Sequence, residues 1–232
     1  MKANVITIFM LVLLANAAYS QSLNNLTGYY NIPTAEVTGD RRVTVGANFL
    51  NRILYSKLGY RENSMAYFAS IGYFPFLEFS LRFTKKIAPV KPEALGDRMI
   101  SFKIRPFKES EYLPSVALGA QDFVHTKDEL TDRFNALYIA ATKNFPLGRY
   151  INNVSVTYGY GFNWISSRNH QYLGHFGGAE VKFLNVFSLI TEYDGDRFNG
   201  GARVSLFNRF NILFGYLGFK YFSGGAAVSF IL

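Results

Sequence analysis

From Leu77 to Thr84 the chain alternates without a break. Leu77, Phe79, Leu81 and Phe83 fall on one side, and Glu78, Ser80, Arg82 and Thr84 on the other. A period of two describes a β-strand with one apolar and one polar face. The pattern returns at 99–105, where Ile100, Phe102 and Ile104 oppose Ser101, Lys103 and Arg105. It returns again at 153–162, where Val154, Val156, Tyr158, Tyr160 and Phe162 oppose Ser155, Thr157, Gly159 and Gly161. Followed along the chain it predicts twelve strands: 42–50, 65–73, 76–84, 98–106, 113–124, 134–144, 151–163, 175–183, 186–193, 196–206, 210–217 and 220–232. No segment after residue 20 reads as a helix or a linker, so 42–232 is expected to form one domain.

Such strands suit either a soluble sandwich or a transmembrane barrel. Here the polar face is mostly Gly, Ser, Thr and Asn with a few charges, a mixture that fits a crowded wet lumen. The apolar face carries Phe, Leu, Ile and Val on almost every strand, the last included. Several strands reach the roughly nine to eleven residues needed to cross a bilayer at a tilt. Tyr150, Tyr193, Phe198 and Tyr221 fall near strand ends, where an interfacial aromatic girdle lies. The connections alternate as well. Those after even strands are short (74–75, 107–112, 145–150, 184–185, 207–209), and the first four after odd strands are longer (51–64, 85–97, 124–133, 164–175). The expected fold is therefore all-β: an antiparallel transmembrane β-barrel of about twelve strands with short periplasmic turns and longer external loops. Closure follows from physics, because in lipid it alone lets strands satisfy every backbone group.

Composition and the chain start add a location. Aromatics make up 17% of the chain, and beyond the first twenty residues no apolar run approaches the length of a membrane helix. Residues 1–20 have Lys2, an apolar stretch from Val5 to Leu14, and small residues Ala18 and Ser20 before Gln21. That is the pattern of a secretory signal peptide. Together with a barrel it predicts the cell outer membrane of a Gram-negative bacterium. There is no cysteine, so there is no disulfide, no thiolate metal site and no thiol for a lipid anchor. The formal net charge is +8. For an exported chain that favours lipid phosphates or an acidic polymer over nucleic acid. Outer-membrane lipid and lipopolysaccharide are the expected surroundings. The last strand, with Phe222, Val228, Phe230 and Leu232 on one face, is the expected signal to the barrel assembly machinery. Residues 21–41 precede the first strand. Tyr29, Tyr30 and Ile32 are costly to leave in water, so this segment is expected to dock as a periplasmic strap or partial plug.

Chemistry is thinly represented. A barrel lipid hydrolase needs a serine activated by a histidine, and none of His125, His170 and His175 has a serine two residues later. Ser166 and Ser167 lie near His170 in an expected outer loop. Asp194-Gly195-Asp196 resembles part of a calcium loop but lacks its further ligands. No metal, cofactor or catalytic residue is expected. A two-residue turn at Asp194-Gly195 is the simpler reading. It places Glu192 opposite Arg197 and Thr191 opposite Phe198. Facing parity puts Glu78, Arg82, Lys103, Arg105, Glu180, Lys182, Glu192 and Arg203 in the lumen, as ion pairs filling a narrow interior or as a polar track for a sugar polymer.

Two stretches resemble a known family. "GYYNIPTAEV" (28–37) and "EYDGDRFNGGARV" (192–204), followed by "GYLGFKYFSGGAAVSF" (215–230), are similar to the YjbH-like family of outer-membrane β-barrels linked to exopolysaccharide or capsule production. The first element is matched by Gly28, Asn31, Pro33, Thr34 and Ala35. The resemblance implies a single-barrel, non-enzymatic protein assisting exopolysaccharide or capsule export, with the polymer and its export proteins as partners. The alternatives are a small-solute channel, a structural barrel with a filled lumen, and a lipid-modifying enzyme.

Overall fold

The structure, a computed structural model, describes residues 21–54, 62–87, 97–125, 135–164 and 172–232. The expected leader (1–20), Ser166, Ser167 and His170 lie outside them. Twelve strands form: β1 (Arg42–Leu50), β2 (Ser64–Phe74), β3 (Leu77–Lys86), β4 (Asp97–Phe107), β5 (Ser115–His125), β6 (Ala136–Pro146), β7 (Ile151–Phe162), β8 (Gly174–Phe183), β9 (Phe187–Tyr193), β10 (Phe198–Leu206), β11 (Phe210–Leu217) and β12 (Tyr221–Ile231). Each pairs antiparallel with its neighbours in sequence, and β12 closes on β1. The seam runs in register from Arg42 opposite Ile231 to Phe49 opposite Gly224. It is lined by small residues, and at Gly225 a Cβ would stand 1.8 Å from Asn48 Oδ1.

The faces are inverted relative to a soluble protein. Phe79 and Leu81 are 41% and 55% exposed, while Glu78, Ser80 and Arg82 between them are buried. The same contrast holds on β7, where Val156, Tyr158 and Tyr160 are exposed and Ser155 and Thr157 buried. An apolar outside and a polar inside on a closed sheet make a transmembrane β-barrel. The connections after β2, β4, β6, β8 and β10 sit at one end and are short, which defines the short-turn end.

Two local departures reshape the lumen. The first is the β9–β10 hairpin, where the expected two-residue turn is a four-residue loop, 194–197. Asp194 N donates to Arg197 O at 3.1 Å, closing the loop. Asp194 Oδ1 also accepts from the amides of Asp196 (3.1 Å) and Arg197 (2.9 Å). The aspartate side chain thus builds an extra turn, and the register moves with it. Glu192 lies opposite Asn199, not Arg197, and Thr191 opposite Gly200, not Phe198. The second is in β5. Ile100 pairs with Val124 and Phe102 with Ala120, so the residues between are bulged. Asp122 takes φ +50° there. Strict alternation from the exposed Leu118 puts Asp122 in lipid, but the bulge turns it inward, fully buried.

Candidate functional site

Residues 21–38 lie inside the barrel. Leu23, Tyr30 and Ile32 have no exposed surface. The segment doubles back on itself through bridges between Gln21 and Thr27 and between Gly28 and Pro33. Gln21 Nε2 closes the loop on Thr38 Oγ1 (2.9 Å) and reaches the barrel wall at Ser70 Oγ (3.1 Å). A strap of this kind has few backbone bonds of its own, so the barrel must supply partners for its buried amides and carbonyls.

Glu192 does this at the tip. Its carboxylate accepts from three consecutive amides: Tyr30 N (3.0 Å), Asn31 N (2.8 Å) and Ile32 N (3.3 Å). Asp194 accepts from Asn31 Nδ2 at 2.8 Å. Asn199 Nδ2 ties the two acids together, at 3.1 Å from Glu192 and 2.9 Å from Asp194. The moved register of the hairpin is what brings Asn199 there. Asn31 O accepts from Tyr172 Oη at 2.7 Å. Burial pushes the Tyr172 hydroxyl well up, which keeps it a donor. Tyr30 Oη, likewise raised by burial, donates to Ser223 O at 3.0 Å.

A second anchor joins β3 and β4. Glu78 Oε1 accepts from Thr27 N (2.9 Å) and Thr38 Oγ1 (2.9 Å). Lys103 Nζ lies 3.3 Å from Glu78 Oε2 and donates to Thr27 O (2.6 Å) and Thr34 O (3.2 Å). The pair is fully buried, and a buried pair holds only when further hydrogen bonds complete it. The strap provides them. A third anchor is Arg203, whose Nη2 donates to Gly28 O and Tyr29 O, both at 2.8 Å. Its Nη1 pairs with Glu180 at 3.0 Å. Arg105 Nη1 meets Glu36 at 2.5 Å.

The motif residues now have individual reasons. A Cβ on Gly28 would lie 2.4 Å from Ile32 O. Asn31 binds the acid pair, and Thr34 offers its carbonyl to Lys103. Pro33 sits opposite Gly28 in the strap's own bridge. Ala35, fully buried, donates its amide to Thr142 Oγ1 at 2.8 Å. Gly201 and Gly215 leave room for the Tyr30 ring, with a Cβ on either reaching 3.0 Å from it.

Five of the eight expected lumen residues therefore touch the strap: Glu78, Lys103, Arg105, Glu192 and Arg203. Glu180 acts through Arg203. Arg82 is elsewhere, paired with Asp122, which Ser101 Oγ also contacts at 3.3 Å. Lys182 faces a cavity described below. Asp122, Asn199 and Tyr172 were not singled out by the sequence. Asp122 carried one signal, a carboxylate at a position that strict alternation from Leu118 turns to lipid.

Toward the other end from the short turns, Tyr138 packs edge to face on Tyr172 and Phe176 in a buried cluster that includes Met99 and Leu54, beside the Arg82–Asp122 pair. At the short-turn end a cavity of about 510 Å³ remains, floored by Thr27, Gly28 and Tyr29 of the strap. His175 lies outside, its Nδ1 2.5 Å from Tyr158 Oη, with the two rings stacked. Both oxygens of Asp194 are filled by the donors named above, and Asp196 pairs with its neighbour Arg197.

A closed sheet with an apolar outside and a strap of its own chain in the lumen is a transmembrane β-barrel with an internal segment. The chain belongs to the YjbH family, described as exopolysaccharide biosynthesis protein YbjH, which matches residues 20–216. It is 34% identical over 96 residues to an uncharacterized lipoprotein YjbH of Escherichia coli (strain K12). That match covers 37% of this chain and 13% of the relative. Among solved structures it is similar to a KdgM porin in complex with disordered oligogalacturonate, at 9% identity and a TM-score of 0.47, over 82% of this chain and 99% of that one.

Proposed function

We propose that the chain is a non-enzymatic outer-membrane barrel serving exopolysaccharide or capsule export, and that residues 21–38 are its plug. The family supplies the link to exopolysaccharide. The observation that carries the plug is the convergence of three strap amides on the buried Glu192 carboxylate. Buried carboxylates are retained where their partners repay desolvation, and here the partners belong to the strap. Five of the eight lumen charges are thus spent on holding a segment of the chain itself. A passing polymer meets a continuous polar track only when that segment moves.

The test has two arms. In planar bilayers the whole protein conducts poorly, and deleting 22–36 opens a larger, steady conductance. Equal conductance rejects the plug and favours a structural barrel, whose lumen stays filled by Tyr138, Tyr172 and Phe176. In cells, deleting the gene lowers secreted polysaccharide, and the full chain restores it. Unchanged polysaccharide rejects the export role.

A further inference from the structure

The cavity at the short-turn end is lined by charge that is mostly spoken for. Glu36 is paired with Arg105 at 2.5 Å, Glu180 with Arg203 at 3.0 Å, and Glu109 with Lys143 at 3.1 Å. Two lysines lining it, Lys108 and Lys182, make no hydrogen bond or ion pair among the described residues. Lys108 stands in the exposed turn, where water serves it. Lys182 is different: it projects from β8 into the lumen and is half-buried. The carboxylate that faces it, Glu180, is already engaged by Arg203 Nη1 at 3.0 and 3.1 Å, so this partly desolvated ammonium is left short of partners and the wall is poised for an anion.

What surrounds Lys182 narrows the anion. In the sheet it is flanked by Asn153 on β7 and Ser188 on β9. Both line the cavity, with Asn144, Asn152 and Asn185 nearby. The Ser188 hydroxyl and the Asn153 side-chain carbonyl have no partner among the described residues. The two arginines of the lining are consumed by Glu180 and Glu36. The bidentate arginine fork that favours phosphate is not free here, because both arginines are paired with carboxylates. Beyond the acids and arginines that pair with one another, Lys182 stands among neutral amides and hydroxyls, which matches a ligand with one acid group and many hydroxyls. The volume of about 510 Å³ lies within the range of small-ligand sites, roughly 300–1,000 Å³.

We propose that this cavity binds a carboxylated oligosaccharide segment, with Lys182 meeting the carboxylate and the Asn153–Ser188 wall meeting hydroxyls. The proposal rests on the reading that the barrel serves a glycan polymer, and it adds the polymer's class: acidic, and met on the short-turn side of the plug.

The test is calorimetric titration of the full chain in detergent with tetramannuronate, maltotetraose and inorganic phosphate. Tetramannuronate binds, maltotetraose binds at least tenfold more weakly, and phosphate does not compete at equal concentration. Lys182→Met weakens tetramannuronate by about tenfold, the scale of one charged hydrogen bond, while Lys182→Arg retains binding. Lys220→Met, in the β11–β12 turn at the opposite rim, changes nothing. Heat-modifiable gel migration of each variant shows that its barrel is folded. The proposal is overturned by no binding of tetramannuronate, by equal binding of the neutral sugar, by indifference to Lys182→Met, or by equal competition from phosphate. Binding with no loss of polymer on gene deletion rejects the export role alone. Loss of polymer without binding rejects this site alone.

Discussion

Glu192 shows how much one side chain can decide. Its two oxygens face only donors: three strap amides and Asn199 Nδ2. Glu192→Gln keeps the shape but points an amide NH₂ at other N–H groups. The loss is about 3 kcal/mol, roughly a hundredfold in the population of undocked strap. The chain has no cysteine, so Ile32→Cys provides a single thiol at a site without exposed surface. In the Glu192→Gln background that thiol is expected to label about a hundredfold faster with a membrane-impermeant maleimide. Equal labelling rates contradict the anchor. Parity in the sequence assigns Glu192 to the lumen face, but its strap partners lie about 160 residues away. Nothing in a period of two reports which distant amide a carboxylate meets, so ion pairing along the wall was the natural expectation, and the strap's backbone was the answer.

At the scale of elements, strand positions were legible because every strand faces lipid on one side and the lumen on the other. Departures came where a polar side chain competed with the ladder. Asp194 captured two amides and lengthened a turn by two residues, and Asp122 accompanied a bulge that reversed its facing. The turn 108–114 offers a third case, with a pH signature. Glu109 accepts from Asn144 N (2.8 Å) and Asn144 Nδ2 (2.7 Å) and pairs with Lys143 at 3.1 Å. Partial burial raises its pKa, but the Asn144 and Lys143 contacts outweigh that and hold the carboxyl below the ordinary Glu range. A depressed folded-state value stabilises the turn above the unfolded value, about 4.3, and the gain is lost as pH falls through the folded one. Hydrogen exchange at the Asn144 amide, corrected for its intrinsic rate, should stay protected above the ordinary Glu range, about 4.3, and lose protection only as pH falls below it. Glu109→Gln should flatten that profile. A protection profile that is the same in the unaltered chain and in Glu109→Gln contradicts the contact.

For the whole molecule, the decisive point is that barrel and strap are held by different bonds. The twelve-strand ladder closes through β1 and β12 without the strap, and Leu232 N reaches Arg41 O at 2.7 Å just outside it. The strap contributes buried Leu23, Leu26, Tyr29, Tyr30 and Ile32, and it completes the Glu78–Lys103 pair. Removing it leaves Glu78, Lys103, Glu192 and Arg203 facing a space that water can enter, so their charges become hydrated and are not stranded. Water cannot replace the lost apolar packing. A chain lacking 22–36 is therefore expected to migrate as a heat-modifiable, closed barrel, with its unfolding midpoint in urea below that of the whole chain. Each fully buried aromatic or large aliphatic side chain lost removes about 1.5–3 kcal/mol of apolar burial, so the shift should be readily measured in detergent. If the shortened chain instead fails to form any heat-modifiable species, the segment is part of the folding core. A plug that moves during export is then ruled out, because a lumen that cannot exist empty cannot be opened.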